Sequence, residues 1–108
     1  MLENAYQARL IKRLRALFPG IVILKNDAGY MQGVPDLTLL YLRWWAVLEV
    51  KAKRPTKASD FEPNQEFYLE QLNSMSFATC IFPENEEDVL RELQQAFSPR
   101  RAARSAQR

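Results

Sequence analysis

Three short apolar runs crowd the first half of the chain, and a fourth stands apart from them. Ile21 to Lys25, Asp36 to Leu42 and Trp45 to Ala52 are rich in β-branched, leucine and aromatic residues and are bounded by turn formers, so they read as strands. Arg43-Trp44 gives a tight reversal between the second and third, although it lacks the Asn-Gly signature of a strong hairpin. The fourth run, Phe77 to Phe82, comes only after a helical stretch. A strand, a crossover helix and another strand imply a parallel pair.

Residues 2 to 18 read as an amphipathic helix. Leu2, Tyr6, Leu10, Leu14 and Leu17 recur at three- and four-residue spacing, and Pro19-Gly20 stops it. Asn26 to Pro35 is a loop. The polar stretch Arg54 to Pro63 leads into a helix that ends near Asn73, with Pro63 in its first turn and Phe67, Leu69 and Leu72 facing inward. Pro83-Glu84-Asn85 opens a last helix, where Val89, Leu90, Leu93 and Phe97 face inward and acids favour the first turn. The order αβββαβα predicts an α/β domain, a four-stranded mixed sheet with helices on both faces. One domain is expected over residues 1–97, with a basic, disordered tail over 98–108.

The chain has no histidine and a single cysteine, Cys80. That removes Ser-His-Asp and Cys-His catalysis and zinc sites built from His and Cys. Catalysis is left to Asp, Glu, Lys, Tyr and a hard, oxygen-seeking metal. Cys80 sits in an apolar run and reads as a small buried hydrophobe. No apolar run is long enough to span a membrane, and the first residues lack the pattern of a signal peptide, so a cytosolic location is expected.

The net charge of +2 conceals an asymmetry. Residues 98–108 hold four arginines and no acid, and without them 11 basic and 13 acidic residues remain, a net −2. Arg9, Lys12, Arg13 and Arg15 cluster in the first segment; Lys51, Lys53, Arg54 and Lys57 cluster after Glu49; acids gather at Glu84, Glu86, Glu87, Asp88 and Glu92. A basic side opposite an acidic one suits a polyanion partner, although charge runs are usually solvated faces.

The chemistry concentrates in Gly33-Val34-Pro35-Asp36 and Glu49-Val50-Lys51. Side chains alternate along a strand, so Glu49 and Lys51 share a face opposite Ala46, Leu48 and Val50. Asp36 begins the antiparallel neighbour at the same edge, which brings Asp36 and Glu49 together with Lys51 beside them. Two carboxylates held close repel each other unless a cation lies between them, and Mg²⁺ fits oxygen ligands. The alternative is a surface Glu-Lys pair and an Asp that starts a turn after Pro35. Glu3, one residue off the apolar stripe, reads equally as a helix-start acid. Gln65 reads equally as a site residue near outward-pointing N–H groups and as an ordinary helix-start residue.

These two motifs resemble the core of the PD-(D/E)XK nuclease superfamily, with its restriction-endonuclease-like fold. An early-helix Glu3, Lys25-Asn26 before a glycine-bearing loop and Pro63-x-Gln65 are similar to its VRR-NUC, or virus-type replication-repair nuclease, branch, which has small stand-alone members in phages. The resemblance covers about residues 2 to 95. It implies a Mg²⁺-dependent DNA endonuclease, with Mn²⁺ as substitute, in which Asp36, Glu49, the Val50 position and Glu3 bind metal. Lys51 then activates or positions the nucleophilic water, while Glu3 and Gln65 assist. The basic clusters and the resemblance together give Arg9, Arg13, Lys25, Asn26, Lys53, Arg54 and Lys57 as expected DNA contacts. The loop 54–62 is longer than the pattern, and Ser74-Met75-Ser76 replaces the usual glycine before the last strand.

Stand-alone relatives of this kind resemble Holliday-junction resolvases, so a homodimer acting on branched DNA is expected, with nicking as the simpler form. Tyr41, Leu42, Trp44 and Trp45 suit either a dimer interface or core packing. Two other readings stay open: a non-catalytic nucleic-acid-binding module, and a nuclease subunit that works with a replication or repair protein.

Overall fold

The computed structural model describes residues 1–98. The tail expected over 98–108 therefore lies outside the described residues, except for Ser98. Buried Leu37 and Leu39 alternate with the more open Thr38 and Leu40 along β2 (Leu37–Tyr41), and β3 (Trp44–Val50) is buried on both sides from Ala46 onward. With β1 (Val22–Lys25) and β4 (Phe77–Ile81) they form one sheet in the order β1-β2-β3-β4. The first three strands are antiparallel neighbours, and β4 runs parallel to β3. The parallel pair needs a crossover, which α2 (Gln65–Asn73) supplies. The α/β class, the mixed four-stranded sheet and the element order are as expected.

The core lies on one face of the sheet. Leu37, Leu39, Ala46, Leu48, Val50 and Ile81 meet Tyr6, Leu10 and Leu14 of α1 (Glu3–Leu17) and Val89, Leu90 and Leu93 of α3 (Glu86–Ala96). A one-residue slip of β3 would turn Leu48 and Val50 away from these helices, so burial fixes the register. Phe18 and Phe97 pack with Tyr41 at ring-centroid distances of 5.2 and 5.9 Å, and Trp44 stacks on Phe97. Tyr41 and Trp44 therefore follow the core-packing reading, while Leu42 is exposed.

Helix α2 packs against β3 and β4 on the opposite face. Thr38, Leu40, Val22 and Leu24 share that face by register, and Val22, Leu24 and Leu40 stay partly open to solvent. Here the structure corrects the expected α2: Phe67 is 60% exposed, and only Gln65 of this helix is buried. Pro63 precedes the helix instead of occupying its first turn; Asn64, in a left-handed conformation with φ 71°, starts it. The reversal falls on Leu42-Arg43, since Trp44 already pairs with Tyr41, and Leu42 takes φ 55°. Among the described residues no helix is long and apolar enough to cross a membrane.

Candidate active site

Pairing of Leu37 with Leu48 puts Asp36 across from Glu49, at the end of the sheet where β3 finishes. The Asp36 main-chain N–H donates to Glu49 Oε1 at 3.2 Å, and the Val50 N–H donates to Asp36 Oδ2 at 2.9 Å. Each carboxylate is thus held by the other strand's backbone. Lys51 N–H bonds to Ile81 O on β4 at 2.9 Å. Strand alternation then aims both polar groups of Val50, its N–H and its C=O, toward Asp36.

Gln65 completes the arrangement. Its Oε1 accepts the Glu62 N–H at 2.8 Å, which fixes the amide orientation and directs Nε2 to Glu49 Oε2, also at 2.8 Å. Lys51 Nζ lies 3.3 Å from Gln65 Oε1 and 3.4 Å from Glu49 Oε2. The Phe61 ring faces the same ammonium at 5.5 Å. Glu49 and Gln65 are nearly sealed from solvent, at 2% and 5% exposure.

Burial, helped by the neighbouring Asp36 charge and opposed by Lys51, pushes the Glu49 carboxyl up to about 7. Burial also raises Asp36, against the Val50 N–H and Lys51. Partial burial raises Glu3, which borders the same cleft as Lys51. Cys80 pairs with Glu49 on β4, and burial pushes its thiol up to about 12, so it is not a nucleophile.

The donors fit a hard cation. Asp36, Glu49 and the Val50 carbonyl offer only oxygen, and the Asp36 charge lies close enough to raise the Glu49 carboxyl. Among the described residues no three His, Cys, Asp or Glu side chains cluster closely enough to hold an ion by themselves, so water would fill the remaining positions of Mg²⁺. Glu3 borders the cleft without joining such a cluster.

Gly33 explains why this loop needs its glycine. It has φ +89°, and a Cβ there would stand 2.5 Å from Pro63 O and 2.7 Å from Asn64 Cβ. The loop before Asp36 thus rests directly on the start of the helix carrying Gln65. Asn26 shapes the same loop: its amide nitrogen donates to Pro35 O and Thr38 Oγ1, both at 2.8 Å.

The remaining basic candidates divide. Lys53, Arg54 and Lys57 are exposed and border the cleft beside Lys51. Lys25 is exposed at the end of β1, opposite Leu37, and does not border that cleft. Arg9 lies over the Tyr6 ring. Arg13 pairs with Glu86 and Glu87 of α3, so acids of its own chain already neutralise it. Sequence reasoning missed Phe61 and the Glu62 N–H, and no residue pattern signals either. It also missed Asp60, whose carboxylate accepts the N–H groups of Thr56 and Lys57; an acid three or four residues after a Thr-Lys pair is a legible turn signal.

Compared with protein-family models, with curated proteins and with solved structures, the chain finds no match.

Proposed function

We propose that the chain is a metal-dependent DNA endonuclease with a restriction-endonuclease-like core, similar to the VRR-NUC branch of the PD-(D/E)XK nucleases. One observation carries the reading: a buried carboxylate, Glu49, and a half-buried one, Asp36, are cross-braced by the Asp36 and Val50 main-chain N–H groups, with an ammonium 3.4 Å from Glu49. A surface ion pair has no use for such bracing, and a module that only bound phosphates would be weakened by buried acids.

Asp36, Glu49 and the Val50 carbonyl would hold Mg²⁺, which when bound lowers the pKa of water and polarises a phosphoryl oxygen. Gln65 keeps Glu49 and Lys51 in place through its two amide ends. Lys51 orients the attacking water or offsets charge on the phosphate. Hydrolysis adds water across one P–O bond, so no further reactant is needed. A two-fold dimer would provide the two cuts that a four-way junction requires.

The test is incubation of supercoiled plasmid and a synthetic junction with the purified protein, in Mg²⁺ and in EDTA. Cutting in Mg²⁺ alone, lost in Asp36→Ala and Glu49→Ala, is expected. Equal cutting in EDTA, or full activity in either variant, would overturn the metal-site assignment. Tight DNA binding without cutting would favour the non-catalytic reading.

A further inference from the structure

Beside Lys51, and not including Asp36 or Glu49, lies a cavity of ≈ 700 Å³ between the first residues of α1 and the loop after β3. Its volume is that of a site for one small organic molecule. Lys51, Lys53, Arg54 and Lys57 border it, and so do the apolar Leu2, Ala52 and Pro55. Among the described residues Lys53, Arg54 and Lys57 have no carboxylate partner, unlike Arg13, Lys51 and Arg91.

The loop is shaped in advance. Asp60 accepts Thr56 N–H at 2.8 Å, Thr56 Oγ1 at 3.3 Å and Lys57 N–H at 3.3 Å, so this acid is engaged within its own turn. The Arg54 guanidinium stands over the Phe82 ring at 5.3 Å. A neutral ring locates that cation without consuming its N–H donors, which stay available for phosphate oxygens.

Resting on the nuclease reading, we infer that this cavity takes one unpaired nucleotide of the DNA strand, next to the phosphate being cut. Arg54 and Lys57 hold its phosphate, and the wall of Leu2, Ala52 and Pro55 receives its base. A double helix is far too wide to enter; its phosphates would touch only the tips of the cations and leave the recess empty. The enzyme's preference is thus for duplex DNA that ends or branches into a single strand at the cut.

The experiment is a fluorescence-anisotropy titration of the full-length protein, with Ca²⁺ replacing Mg²⁺ to prevent cutting. The probes share one sequence: a blunt duplex, and the same duplex with a short 5′ or 3′ unpaired tail. A tailed probe is expected to bind about tenfold tighter than the blunt one, the scale of one seated base. Arg54→Ala with Lys57→Ala should bring that ratio to about one, with the thermal midpoint unchanged because both side chains are exposed. Lys12→Ala with Arg15→Ala removes equal charge from the exposed side of α1 and should preserve the ratio. Equal binding of blunt and tailed probes by the unaltered protein overturns the inference, as does a ratio that survives in the Arg54/Lys57 variant. Failure to bind any probe would remove the DNA reading itself, and the inference with it.

Discussion

Without metal, the acid pair should make the fold less stable as the pH rises from 5 to 8. The folded chain holds a proton on Glu49 up to about 7, whereas the unfolded chain releases it near 4.5. Protonation therefore favours the folded state. The stabilisation is complete below the unfolded value and is lost as the pH passes the folded one. At 1.36 kcal/mol per pKa unit, the interval gives an upper value of about 3 kcal/mol. Lys51 and Gln65 relax toward the charge, so about 2 kcal/mol is the loss expected. No histidine titrates in this window, and Glu3, raised by partial burial, acts in the same direction as Glu49. Asp36 is displaced in the same direction, while the lowered values of Asp60 and Glu87 act only in more acid solution. Urea unfolding in EDTA, followed by the fluorescence of Trp44 and Trp45, should show the midpoint falling by about 1 M between pH 5 and pH 8. Mg²⁺ at pH 8 should restore it by binding the folded state, and Glu49→Gln should flatten the dependence. A midpoint that stays level or rises across this window in EDTA would refute the reasoning.

Lys51→Met keeps the length of the side chain but not its charge, so Mn²⁺ binding by calorimetry should persist while the cleavage rate falls by about 10² or more. Gly33→Ala forces a methyl group against Pro63 O and a side chain into φ +89°, and should cost about 2–4 kcal/mol, read as a lower thermal midpoint together with reduced activity. Leu42→Asn places a residue that tolerates φ 55° on an exposed turn and should raise stability by about 0.5–1 kcal/mol in urea, with cleavage unaffected.

The strand pairings and the Asp36–Glu49 approach were legible because they follow from a period of two and one tight reversal. Burial of Leu48 and Val50 leaves Glu49 only one face to occupy. The reversal falls one residue earlier than the sequence suggests, since Leu42 has no turn chemistry and is forced left-handed by the pairing of Tyr41 with Trp44. Phe67 reads as a core residue because helix periodicity cannot show that α2 packs on β3 and β4 with its Phe67 side left in solvent. Arg13 looked like a phosphate contact because its acids lie 73 positions away at Glu86 and beyond. Gln65 was ambiguous for a related reason: its partners, Glu49 and the Glu62 N–H, are chosen by tertiary placement and by a main-chain group that every sequence carries.

The parallel placement of β4 beside β3 also governs when the site can exist. Lys51 is anchored through its N–H to Ile81 O, and Gln65 rides on the crossover that leads to β4. A chain still leaving the ribosome, with Asp36, Glu49 and Lys51 already made but β4 not yet synthesised, has the reactive residues without their arrangement. Long-range parallel pairing is also among the slower steps of folding. Synthesis order thus delays the full arrangement of Asp36, Glu49, Lys51 and Gln65 until β4 is in place, and fraying of β4 would free Lys51 again.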